Sequence, residues 1–106
     1  MTTKLYLDDE RMTPDGWERV YTAHEAIAAL RTGTITHISL DHDLGDLDGD
    51  CGDGYDVACF IEAGAYHGTL PKLVWAIHSA NPVGAQRMKE ALQAADRFWA
   101  LGWSDD

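Results

Sequence analysis

The chain has 106 residues, 45% apolar and 25% charged, enough for one domain with a single core (residues 1–106) and too apolar for a disordered chain. Eighteen Asp and Glu against eight Lys and Arg give a net charge of -10, which excludes a basic footprint for duplex DNA or an anionic membrane. Any phosphate bound here must meet positive charge from another source, and no apolar run approaches the length of a membrane span.

The first apolar segment, Lys4-Leu5-Tyr6-Leu7, is rich in strand formers and stops at Asp8-Asp9-Glu10-Arg11, which predicts a strand entering a charged loop. Thr13-Pro14-Asp15-Gly16 is turn chemistry. A second strand is predicted over Glu18 to Thr22, then a helix with Ala23, Ala26, Ile27 and Leu30 on one face, ended by Gly33. Ile35 to Leu40 predicts a third strand, ending in Asp41-His42-Asp43. An acidic, Gly-rich loop from Leu44 to Asp53 leads to a helix starting near Gly54, with Val57, Phe60, Ile61 and Gly64 on one face. Leu73-Val74-Trp75-Ala76-Ile77 is apolar on both faces and predicts a central strand of a parallel sheet. After His78-Ser79-Ala80, Asn81 is an N-cap with Pro82 at the first helical position, and Met88, Ala91, Leu92 and Ala95 form the buried stripe of a helix. Arg97 to Leu101 is predicted as the last strand. Cys51 and Cys59 follow no metal-ligand or redox spacing, and no charged leader precedes an apolar stretch, so both are expected as reduced thiols of a cytoplasmic protein.

Strands alternating with helices imply an α/β protein with right-handed crossovers and about five strands in a parallel sheet covered on both sides. In such sheets the ligand crevice lies outside the carboxyl ends of the strands. Three predicted strands end in reactive residues, Asp8-Asp9, Asp41-His42-Asp43 and His78-Ser79, and are expected to converge there.

Carboxylates gathered in one crevice repel one another, and a hard divalent cation, Mg²⁺ or Mn²⁺, is the usual resolution. Asp8, Asp9 and Asp41 are the expected ligands, while the histidines also suit a softer metal. The helix start after Asn81 offers backbone N–H donors to a phosphoryl group, and Arg11 can add a bidentate contact. A free imidazole titrates near neutrality, so His42 or His78 is a candidate to carry a proton in phosphoester chemistry. Against this stands the plainer reading, in which each Asp is a turn former or helix cap, His78 bonds backbone and His42 faces solvent. His24, His37 and His67 lack reactive neighbours in sequence and are read as surface or helix-end residues. The loop from Asp46 to Asp53 fails the EF-hand pattern: counted from Asp46, Cys51 stands where Gly is required and Val57 where a Glu is required. Trp17, Trp75, Trp99 and Trp103 are core candidates, with Trp17 alternatively facing the crevice.

An acidic pair after the first strand, an Asp after the third and a Ser after the fourth resemble response-regulator receiver domains. Leu5-Tyr6-Leu7-Asp8-Asp9-Glu10-Arg11, Pro14-Asp15-Gly16-Trp17, Ser39-Leu40-Asp41-His42-Asp43-Leu44-Gly45, Gly54-Tyr55-Asp56-Val57 and His78-Ser79-Ala80-Asn81-Pro82 together resemble the cyclic-phosphate processing receiver-like family over nearly the whole chain. The resemblance implies a flavodoxin-like three-layer sandwich with sheet order 2-1-3-4-5, a divalent metal at the acidic cluster, and action on a cyclic or terminal phosphate of a nucleotide or RNA end. Two departures from ordinary receivers count against phosphorelay signalling: no Lys stands at Ala100-Leu101-Gly102, and the first helix is replaced by the loop from Met12 to Gly16.

The leading expectation is a metal-dependent phosphoesterase acting on a cyclic nucleotide or a 2′,3′-cyclic phosphate end. Asp8, Asp9 and Asp41 hold the cation, His42 or His78 acts as general acid or base, Asp43 orients a histidine or shares the metal, and Arg11, Ser79 and Asn81 hold the non-bridging oxygens. A variant of the same geometry makes Asp41 a transient nucleophile. The rival is a non-catalytic module that binds a nucleotide or a partner protein.

Overall fold

A computed structural model describes residues 3–8, 12–41 and 53–102. Its elements in chain order are β1 (Thr3–Leu7), β2 (Trp17–Val20), α1 (Ala23–Leu30), β3 (Ile35–Leu40), α2 (Gly54–His67), β4 (Val74–Ile77) and α3 (Pro82–Ala100). The strands form one parallel sheet of order β2-β1-β3-β4.

Each helix begins where a side chain can satisfy its free N–H groups. Thr22 and Glu25 form a capping box at α1, and Asp53 and Asp56 form another at α2. Asn81 caps α3 by accepting from the Gly84 amide at 3.0 Å, with Pro82 in the first turn. α2 ends at Gly68, whose φ of 74° is the left-handed conformation that lets a helix terminate.

Strand order and crossover hand decide where the helices lie. α1 links β2 to β3 and α2 links β3 to β4, so both connections travel the same way across the sheet. Right-handed crossovers then place both helices on one face. α3 packs beside α2, and Met88, Ala91, Leu92 and Ala95 join the same core as Leu5, Leu7, Ile38, Leu40, Val57 and Ile61. The connection from β1 to β2 runs the other way, and its described part, from Met12 to Gly16, contains no helix. The expected three-layer sandwich is therefore two layers among the described residues. The strand registers put Lys4, Tyr6, Trp17, Arg19, His37, Ser39, Val74 and Ala76 on the face away from this core.

The expected last strand is also corrected. Arg97 to Ala100 is the final turn of α3, because the buried stripe at Met88, Ala91, Leu92 and Ala95 continues at helical spacing into Phe98 and Trp99. The Trp99 indole donates to the Leu70 carbonyl at 3.0 Å, which fixes that turn against the core. The sheet of the described residues thus has four strands, and β4, expected at the centre, is an edge strand whose Val74 is 59% exposed. No helix among the described residues is long and apolar enough to cross a membrane.

Candidate active site

Register alone assembles the site. Leu7 is level with Leu40, and Leu40 with Ile77, so the residues that follow, Asp8, Asp41 and His78, emerge side by side at the carboxyl end of the sheet. The ladder runs one residue further to hold them: the Asp8 amide donates to the Val20 carbonyl, the Asp41 amide to Leu7 and the His78 amide to Leu40, at 3.2, 3.1 and 3.0 Å. One ligand atom from each of the three side chains lies within 4.8 Å of the others.

Asp8 is fully buried, and the His78 side chain is partly buried, 15% exposed. Nε2 of His78 stands 3.0 Å from Oδ2 of Asp8, and Nδ1 stands 2.7 Å from the hydroxyl of Ser39. Tyr6 stacks on the His78 ring, centroids 4.4 Å apart and planes 4° from parallel. Tyr6 comes from β1 and His78 follows β4, and they meet because Ser39 and Ala76, in the intervening row, are small. Trp17 meets the edge of Tyr6 at 6.2 Å, and Lys4 lies 5.8 Å from the Trp17 ring. Arg19 donates from Nε to the Asp8 carbonyl at 3.0 Å and covers the Tyr21 ring, tying β2 to the site. The backbone of Asp41 is braced by α2: a Cβ on Gly54 would collide with the Asp41 carbonyl, so only glycine lets the helix start this close.

Asp8, Asp41 and His78 are thus brought together. Ser79 and Asn81 occupy the turn between β4 and α3, where the Ser79 hydroxyl accepts from the Asn81 amide at 3.1 Å and Asn81 caps the helix. Asp9, Arg11, His42 and Asp43, and the loop from Asp46 to Gly52, lie outside the described residues. Of the other histidines, His24 and His67 are exposed on helices and His37 bonds the Thr36 hydroxyl at 2.8 Å. Trp75 donates to Asp96 at 3.0 Å. Ser39 and Tyr6 escaped the sequence reading. Their signal was the two-residue period of a strand, which puts Ser39 on the face of Asp41 and Tyr6 on the face of Asp8.

Two carboxylates and an imidazole at this spacing form a donor set for a divalent cation, with oxygen ligands that suit Mg²⁺ or Mn²⁺ and a nitrogen that favours the latter. A family model described as cyclic-phosphate processing receiver domain matches residues 3–94. Comparison with curated proteins and with solved structures gave no match.

Proposed function

We propose, for a chain that belongs to the cyclic-phosphate processing receiver family, a metal-dependent phosphoesterase activity that opens a cyclic phosphate, on a cyclic nucleotide or a 2′,3′-cyclic phosphate end. The observation that carries this reading is the gathering of Asp8, Asp41 and His78, from three separate strand ends, within 4.8 Å.

Asp8 and Asp41, with Asp9, would hold Mg²⁺ or Mn²⁺. A bound cation supplies the positive charge that the phosphoryl oxygens of an anionic substrate need in an acidic protein. Ring opening adds water at phosphorus and breaks one P–O ester bond, so one proton must leave the water and one must reach the departing oxygen. A histidine, His78 or His42, performs that transfer, with Asp43 orienting a histidine or sharing the metal. Arg11, Ser79 and Asn81 orient the non-bridging oxygens, aided by the N-terminal end of α3, whose dipole favours an anion. Purified protein incubated with Mn²⁺ or Mg²⁺ and a panel of cyclic nucleotides and cyclic-phosphate RNA ends tests this. Linear product from the parent and none from Asp41→Asn supports it; retention of the nucleotide without product supports a non-catalytic binding module instead.

A further inference from the structure

We infer that His78 joins the carboxylates as a ligand of the cation through Nε2, and that the Ser39 hydroxyl reverses its hydrogen bond to permit it. The inference rests on the metal-dependent reading above and narrows it, since His78 is then committed to the ion and the proton transfer passes to another group.

The separation of Nε2 from Asp8 Oδ2, 3.0 Å, fits two uses. It is a hydrogen-bond length, and it is also the spacing of adjacent ligands on an octahedral cation with bonds of about 2.1 Å, which stand about 3.0 Å apart. A cation bound by both atoms sits to one side of the line that joins them, so the ring or the carboxylate turns to face it when the shared proton gives way. The other ring nitrogen decides whether the exchange is possible. In the neutral tautomer whose Nε2–H donates to Asp8, Nδ1 accepts from the Ser39 hydroxyl. With a cation the Nε2 lone pair faces the ion, the single ring proton sits on Nδ1, and the Ser39 oxygen accepts it. The two neutral tautomers exchange their single ring proton through solvent. A carboxylate or carbonyl facing Nδ1 would fix one tautomer, whereas a hydroxyl serves both. The buried Ser39 and the stacked Tyr6 hold the ring plane throughout. A nitrogen ligand also tilts the site toward Zn²⁺ or Mn²⁺ over Mg²⁺.

The test is a Zn²⁺ titration of the full chain carrying ¹⁵N-labelled histidine, with the ring nitrogens read by long-range ¹H–¹⁵N correlation and His78 assigned by its loss in His78→Gln. The expected result is an Nε2–H pattern without Zn²⁺ and an Nδ1–H pattern with one equivalent, with Ser39→Ala weakening Zn²⁺ binding about 10–100-fold. Stoichiometric Zn²⁺ binding with His78 still in the Nε2–H form overturns the inference and leaves a carboxylate-held cation standing. Unchanged affinity in Ser39→Ala overturns the part given to Ser39. No Zn²⁺ binding at all removes the inference together with the metal-dependent reading beneath it.

Discussion

Tyr6 and His78 lie face to face beside the small side chain of Ser39, ring centroids 4.4 Å apart and planes within 4° of parallel. The stack joins β1 to the loop after β4 without passing through the core, and it fixes the plane of the one described imidazole at the site. Tyr6→Phe keeps the ring and should leave activity and stability close to the parent. Tyr6→Leu keeps the apolar bulk but loses the ring face, and should cost about 0.5–1.5 kcal/mol in chemical denaturation. Its activity loss should exceed that cost, because His78 is released from its orientation. Steady-state kinetics beside urea melts of both variants check this.

Gly54 is where the fold and the site compete for the same space. Alanine is the better helix former, by about 1 kcal/mol in a helix interior and less at this first position of α2, yet its Cβ would strike the Asp41 carbonyl and approach the Met88 sulfur. Overpacking wins: Gly54→Ala should be destabilised by a net of about 1–3 kcal/mol, seen as a lower Tm. A variant as stable as the parent would mean that α2 does not abut Asp41.

Cation binding should appear in stability before it appears in turnover. A cation that binds the folded chain alone at 100 times its Kd adds about 2.7 kcal/mol. Thermal melts with and without Mn²⁺ should show a rise in Tm for the parent and none for Asp41→Asn. Chelator should return the parent to its lower value.

The Trp99 indole donates to the Leu70 carbonyl from the last turn of α3. Trp99→Phe leaves a carbonyl without that donor and should cost about 1 kcal/mol in urea denaturation. Amide exchange protection extending through Phe98 should accompany the bond in the parent.

Those last turns mark where sequence reasoning stopped. β1, β3 and the starts of α2 and α3 were legible because short apolar runs end abruptly in Asp, and because Asp53, Asn81 and Pro82 carry capping chemistry that acts locally. Arg97 to Leu101 reads as a strand because its aromatic residues favour sheets, but the stripe from Met88 to Ala95 sets a helical phase and no breaker intervenes before Gly102. The apolar run at β4 suggested a central strand, yet among the described residues β4 is the sheet edge, and Val74 and Ala76 point to the face that no described helix covers, which no local pattern reports. At the site, Asp8, Asp41 and His78 were visible as strand-end residues. Their coalescence, and the parts of Ser39 and Tyr6, depend on register between strands, which only the fold fixes.

The shared cation is the centre of this account, and anomalous scattering from a crystal soaked in Mn²⁺ reads it most directly. The account predicts one peak within bonding distance of the Asp8 and Asp41 carboxylates and close to Nε2 of His78. A fully soaked crystal with no peak there, or with manganese held only by surface carboxylates elsewhere, would contradict it.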